Sequence, residues 1–286
     1  MSSSNKHCHG RAKSKKSRMT MAKKADKHRL YERAVQCSDA EIDFVDQTFK
    51  ALTGREAVFL REDFCGTTNS SCEWIRRRET NRAVCVDLDE DVLAWGQRHH
   101  VGSLTEEQQE RIQLIHDDVM TVATEPMDTI LAMNFSYWLF QDRTSLLAYF
   151  KRVYDSLVED GVFFLDACGG FEAFREMEES TEHDNFTYVW DQSHYNPITG
   201  HYICKIHFHF KDGSKLKEAF VYDWRLWTLP EITEMLAEAG FEATVYWEGT
   251  DEEGEGSGVF TASTQGEADA GWIVYMSATK NKPLAF

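Results

Sequence analysis

Short apolar runs at residues 57–62, 82–87, 111–116, 127–133 and 161–167 recur along the chain without the polar alternation of a half-exposed strand. Runs of this kind are strands buried on both faces of a sheet. Between them apolar positions return at helical spacing, over 70–78, 89–99 and 142–158. In the last of these, Leu146, Leu147, Phe150, Val153, Tyr154 and Leu157 make one stripe that Asp160-Gly161 is expected to stop. Ser103-Leu104-Thr105-Glu106 reads as a capping box that opens a short helix. Strand and helix alternate through five units, which predicts an α/β fold with a doubly wound, mostly parallel sheet. Upstream, one amphipathic helix is expected from about residue 26 through Leu30, Tyr31, Ala34 and Val35. A second covers Ile42, Phe44, Val45 and Phe49, and Gly54 ends it.

The pattern changes after Gly169-Gly170. A short helix is expected over 171–178, and then alternating β character over 186–191, 201–210 and 216–226, with turns at 196–200 and 211–214. Thr228-Leu229-Pro230-Glu231 is a second capping box with proline in the first turn, and Gly240 closes its helix. Strands at 241–248 and 271–279 follow, separated by an acidic, glycine-containing loop at 251–258. The expected organisation is a basic tail (1–25), N-terminal helices (26–56), an α/β core (57–182), an antiparallel β insertion (183–226) acting as a substrate lid, and the rest of the core (227–286).

Composition adds one asymmetry. The net charge of −17 conceals a tail, residues 1–29, with ten Lys/Arg and one acid, leaving 21 basic and 47 acidic residues in the body. An acidic body repels nucleic acid, so a nucleic-acid substrate is not expected. The tail reads as a disordered solubilising extension, with a nucleic-acid arm or nuclear address as the alternative. No apolar run is long enough to cross a membrane, and the N-terminus lacks the apolar stretch of a signal peptide. Seven cysteines, mostly in strand-like segments, match neither a disulfide framework nor a zinc site. A cytoplasmic protein is expected, or a nuclear one if the tail is an address.

The segment Leu60-Arg61-Glu62-Asp63-Phe64-Cys65-Gly66-Thr67-Thr68, followed by Ala83-Val84-Cys85-Val86-Asp87, places a tight loop after one buried strand and a carboxylate at the tip of the next. That layout holds an adenosine-containing cofactor, the acid gripping the ribose hydroxyls. A dinucleotide would want G-x-G-x-x-G, but only Gly66 is present, and no basic residue of the loop meets a pyrophosphate. Asp117 and Asp118 end the third strand in the same way.

The loop resembles the first motif of class I S-adenosylmethionine-dependent methyltransferases, and in particular an uncharacterised subgroup that carries L-R-E-D-F-C-G-T. Glu62 falls on the motif acid, Cys65-Gly66-Thr67 on its centre, and Phe64 and Thr68 stand where its outer glycines would be. The resemblance reaches Thr279. It implies a Rossmann-like sheet of seven strands with the last antiparallel, S-adenosyl-L-methionine as cofactor, and methyl transfer. Cofactor contacts would come from Arg61, Glu62, Phe64, Cys65, Gly66, Thr67, Asp87, Leu88, Asp118 (Asp117 as the register alternative), Val119, Asn134, Phe135 and Ser136. Tyr31 would fold over the cofactor or pack in the core. Arg61 would pair with the cofactor carboxylate, or else with Glu62 or Asp63. Cys65 is taken as a small residue rather than a nucleophile. Asn134 and Tyr137, after the fourth strand, would face the methyl group and the nucleophile.

The insertion is rich in aromatics and histidines. Trp190, Tyr195, Trp224 and Arg225 are candidates for the acceptor pocket, since aromatic faces suit a cationic amine or a sulfonium. His194, His201 and His207 are candidate bases, with His194 as the choice. His207 and His209 share a strand face, but no third ligand accompanies them and no metal is expected. The expected activity is methylation of a small-molecule N, O or S nucleophile. The alternatives are a tRNA or protein methyltransferase docking through the tail, and a catalytically silent partner subunit.

Overall fold

The structure, a computed structural model, describes residues 19–250 and 256–280. Its strands are β1 (Phe59–Asp63), β2 (Arg82–Asp87), β3 (Ile112–His116), β4 (Met127–Ala132), β5 (Leu157–Gly169), β6 (Met177–Glu182), β7 (Phe186–Tyr195), β8 (His201–Phe210), β9 (Lys215–Arg225), β10 (Phe241–Thr250), β11 (Gly256–Ala262) and β12 (Trp272–Lys280). The helices are α1 (Met21–Lys24), α2 (Lys27–Ala34), α3 (Ser38–Thr53), α4 (Asn69–Arg77), α5 (Glu90–His99), α6 (Glu106–Gln109), α7 (Arg143–Ser156) and α8 (Leu229–Ala239).

One sheet of eight strands runs β11-β10-β12-β5-β4-β1-β2-β3. The strands β1 to β5 are mutually parallel, β12 is antiparallel to β5 and β10, and β11 is antiparallel to β10. Both faces are covered. Leu60, Leu131, Val162 and Phe164 meet Ile42, Val45 and Phe49 of α3 and Trp74 and Ile75 of α4. Ile130, Phe163, Leu165 and Met276 meet Leu146, Phe150 and Val153 of α7 and Ile232 and Leu236 of α8. The order reverses between β1 and β4, so the crevice at their carboxyl ends is where such a sheet places a ligand.

A second sheet, β6-β7-β8-β9, is antiparallel throughout. Phe186, Tyr188, Trp190, Ile206, Phe208 and Tyr222 form one packed face together with Leu30, Tyr31 and Ala34 of α2. The helix α2 therefore lies between the two sheets.

Local chemistry sets the element ends. Asp26, Asp89 and Asp142 each accept backbone N–H groups at a helix start, and Thr228 with Glu231 forms the expected box. Gly54 and Gly240 close α3 and α8 at φ 76° and 105°.

Several expectations are corrected. The eighth strand, β11, includes Gly256–Gly258 of the segment expected as loop; residues 251–255 lie outside the described residues. The helix expected over 171–178 is instead a turn region leading into β6, so the second sheet begins at Met177. The sequence Met-Glu-Glu-Ser-Thr-Glu has no apolar helical face and pairs as a charged edge strand, Met177 opposite Gln192 through Glu182 opposite Thr187. The first capping box is Thr105 with Gln108 rather than Ser103 with Glu106, because Val101–Ser103 already closes a 3₁₀ turn. The helix α7 stops at Ser156, and Leu157 begins β5, which passes through Gly161. Of the basic tail, residues 1–18 lie outside the described residues. Residues from Met21 belong to the folded body, for Met21 N–H donates to Asp212 Oδ2 at 2.8 Å and Ala22 N–H to Ser214 Oγ at 3.0 Å in the β8–β9 turn. No helix among the described residues is long and apolar enough to cross a membrane.

Candidate active site

The loop after β1 is built from left-handed backbone: Phe64, Gly66 and Thr68 have φ of 56°, 51° and 64°. Only glycine takes this region freely. Phe64 is held there by its ring, 5.6 Å from Tyr149 and 6.2 Å from Phe140. Thr68 is fully buried at the start of α4. The loop folds on itself, Cys65 N–H donating to Val86 O (3.0 Å), Gly66 N–H to Asp87 Oδ2 (2.8 Å) and Thr68 N–H to Cys65 O (2.9 Å). Three of the loop N–H groups are thus engaged within the fold. From outside, α5 closes on the loop at Gly96, where a Cβ would stand 2.5 Å from Thr67 O. From above, Glu32 of α2 accepts from Thr67 Oγ1 and meets His100 Nε2, each at 2.7 Å.

Four carboxylates stand at this end of the sheet. Glu62 accepts from Ser71 N–H at 3.0 Å and from the Ser71 hydroxyl at the start of α4. Burial, aided by the negative charges of Glu41 and Asp87, pushes its pKa up to about 8. Asp87 accepts from Gly66 N–H and, at 2.9 Å, from Asp89 N–H, and burial raises its pKa too. Each of its oxygens keeps a second lone pair for a hydroxyl donor. Asp87 and the exposed Leu88 line a notch with His116, between the ends of β2 and β3. Asp118 Oδ1 accepts from Met120 N–H at 2.9 Å, Asp117 Oδ1 accepts from Asp118 N–H at 2.7 Å, and Val119 is buried in the core beside them.

At the end of β4, Asn134 and Phe135 are consecutive left-handed residues, with φ of 57° and 56°. Their N–H groups donate to the two oxygens of Asp166 at 2.7 and 2.8 Å. Asp166 is a carboxylate in the apolar strand β5, and burial pushes its pKa up to about 7 against those two donors. Asn134 and Phe135 open onto a cavity of about 610 Å³ between the two sheets. Tyr31, Cys168, Gly169, Trp190, Tyr222 and Trp224 contribute to its walls.

The structure therefore brings together Asn134, Phe135, Tyr31, Trp190 and Trp224, with the loop and Asp87 at the adjoining strand ends. Other expected residues lie elsewhere. Arg61 is completely buried and its guanidinium pairs with Asp63 (Nε to Oδ1 2.8 Å), while Tyr149 donates to the same carboxylate. Residues two apart share a strand face, so Arg61 meets Asp63 and not the ligand crevice. Tyr137 is also completely buried, its hydroxyl donating to Asp166 O at 2.7 Å. Ser136 donates to Met133 O at 2.7 Å. Cys65 packs with Cys85 and Leu93, and burial raises its thiol pKa well above the usual value, so it serves as a small residue.

The expected base, His194, lies outside the cavity. A bulge between Gln192 and His194 shifts the register so that His194 pairs with Ile203 on the outer face, beside Glu176 (3.2 Å) and the His201 ring. His201 meets Asp223 at 2.7 Å, and His207 meets Asp191 at 3.2 Å while accepting from Glu218 N–H at 2.7 Å. Arg225 follows Trp224 and so faces away from the cavity, paired with Glu231 at 2.8 Å and lying 3.7 Å over the Trp227 ring. Tyr195 packs on Phe174 outside the cavity wall. Sequence reasoning missed Asp166, Glu32 and Gly96, and the acids Glu172, Glu179 and Glu248 on the cavity wall. An acid inside the run Phe163-Phe164-Leu165-Asp166-Ala167 is the one legible signal among them.

No family model matches the chain, and no curated protein matches it. Solved structures do. An S-adenosylmethionine-dependent methyltransferase from Clostridium acetobutylicum ATCC 824 superposes with TM-score 0.67 at 16% identity, covering 89% of this chain and 98% of its own. CalS10, an amino pentose methyltransferase from Micromonospora echinaspora solved with S-adenosylmethionine bound, gives 0.63 at 15% identity over 89% and 96%. The sugar N-methyltransferase KedS8 from Streptoalloteichus sp ATCC 53650 gives 0.60 at 16% identity over 98% and 99%. The chain has the fold of these methyltransferases.

Proposed function

We propose that the chain is an S-adenosylmethionine-dependent methyltransferase acting on a small-molecule nucleophile. The observation that carries this reading is the donor set at the carboxyl edge of the sheet. Glu62 and Asp87 are half-buried carboxylates with the buried Glu41 close by, no described cation pairs with them, and the N–H groups of Cys65, Gly66 and Thr68 are engaged within the fold. Such a site offers acids and no paired cation to a pyrophosphate, whose charge they would repel. It suits a phosphate-free ligand with an ammonium, a sulfonium and a ribose diol. S-adenosylmethionine supplies an electrophilic methyl group whose leaving group is already a neutral thioether.

The residues of the chain then have three tasks. Glu62 sits at the motif acid to favour the cationic methionine tail, Asp87 to accept from the ribose hydroxyls, and Asp118 (or Asp117) to accept from the adenine amine. Asn134 and Phe135, fixed by Asp166, stand where the crevice meets the cavity and orient the nucleophile. The second sheet and α2 close the cavity, which excludes water and aligns the reactants, the main demands of an in-line displacement. The solved relatives named above, an amino pentose and a sugar N-methyltransferase, support a small-molecule acceptor.

Calorimetric titration with S-adenosylmethionine, S-adenosylhomocysteine and NAD tests the reading. The first two are expected to bind and NAD is not. In Asp87→Ala, loss of charge-assisted hydrogen bonds is expected to weaken S-adenosylhomocysteine by roughly 10- to 100-fold. Binding of NAD alone, or unchanged affinity in the variant, would contradict it.

A further inference from the structure

The cavity of about 610 Å³ has one sign of charge. Its ionisable side chains other than tyrosine and cysteine are Glu172, Glu179 and Glu248, and no lysine, arginine or histidine lines it. Two of these acids are engaged. Glu172 pairs with Arg175 at 2.8 Å, and Glu248 accepts from Gly258 N–H at 2.8 Å. Glu179 makes no ion pair with any described residue. It lies directly across the strand pair from Trp190, on the cavity face of the second sheet.

Beside it the wall is aromatic. Tyr222 and Trp224, two apart on β9, stack with ring centroids 4.3 Å apart at 21°. Trp190 stands 6.1 and 6.4 Å from these two rings. Ring faces carry negative charge density and attract cations, and an unpaired carboxylate does the same. A phosphate or carboxylate entering the cavity would meet only like charge and no donor cation.

From this geometry we infer that the methyl acceptor is a small amine that binds as its cation, with the ammonium between Glu179 and the Trp190–Tyr222–Trp224 wall. The ammonium passes one proton to the Glu179 carboxylate, the freed nitrogen lone pair bonds to the methyl carbon as the carbon–sulfur bond breaks, and S-adenosylhomocysteine leaves as the neutral thioether. Anionic acceptors are excluded by the same wall. The inference rests on the methyltransferase reading and narrows it, since the volume admits a drug-sized molecule and not a folded macromolecule.

Calorimetry on the full chain saturated with S-adenosylhomocysteine tests it, using benzyltrimethylammonium, benzyl alcohol and benzenesulfonate as matched cationic, neutral and anionic probes. The cation is expected to bind at least about tenfold tighter than the alcohol, and the sulfonate not measurably. Glu179→Gln, on an exposed edge strand where the fold tolerates it, is expected to weaken the cation by about three- to tenfold and leave the alcohol unchanged. Trp190→Leu should lower the cation's affinity in the same selective way. Similar affinities for all three probes, or a cation affinity indifferent to Glu179→Gln, overturn the inference while leaving the methyltransferase reading intact. Failure of S-adenosylhomocysteine to bind overturns that reading and this inference with it.

Discussion

Glu62 holds a proton far above the ordinary carboxylate range because it is buried among acids, and this has a measurable sign. With its folded pKa near 8, the folded chain keeps the proton after the unfolded chain has lost it. Stability of the ligand-free protein should therefore fall as pH rises from about 4.5 to about 8, through the ordinary and then the raised pKa. Denaturant unfolding at several pH values is expected to show a flatter fall in Glu62→Gln, although Asp166, with a pKa near 7, keeps part of the slope in both proteins. Parallel curves would remove Glu62 from the account. The charged residues of the buried strands were visible in the sequence, but their partners were not all read correctly. Alternation alone places Arg61 beside Asp63, whereas the ligand-pairing expectation followed the position of Arg61 at the strand end. Phe64 and Thr68 illustrate a different limit of pattern reading. Left-handed backbone at two non-glycine residues costs about 1–2 kcal/mol each, and only the packing of Phe64 on Tyr149 and the full burial of Thr68 show what offsets it.

Elements with a continuous apolar signal, β1 to β5 and helices α3 to α5 and α7, were legible because burial on both faces leaves a strong periodic record. The strands that escaped, the charged β6 and most of the glycine-containing β11, are largely exposed edge strands, where pairing needs no buried apolar face. The β-bulge at Gln192 was equally silent, and it moved His194 to the outer face. Helix-to-loop packing was also hidden, since nothing near Gly96 in sequence announces that Thr67 O will lie against it. Gly96→Ala would place a methyl 2.5 Å from that backbone oxygen. Relief requires α5 or the loop to move, so a loss of about 1–3 kcal/mol is expected in denaturant unfolding, with weakened S-adenosylhomocysteine binding. A variant as stable as the parent would mean that α5 does not fix the loop.

In the molecule as a whole, α2 joins what the sequence presents as separate parts. Asp26 accepts from the Trp95 indole at 2.9 Å and Glu32 holds Thr67 and His100, while Leu30, Tyr31 and Ala34 pack on the second sheet. The crevice proposed for the cofactor and the cavity proposed for the acceptor thus share a roof and meet at Asn134 and Phe135. No single stretch of sequence could reveal that junction, because it draws on α2, β4, β5 and the second sheet together. A crystal structure of the chain with S-adenosylhomocysteine tests this junction most directly. The ribose is expected on Asp87, the adenine beside Asp117 and Asp118, and the sulfur facing Asn134 and the aromatic cavity. A ligand lodged elsewhere, or one whose sulfur points away from the cavity, would contradict it.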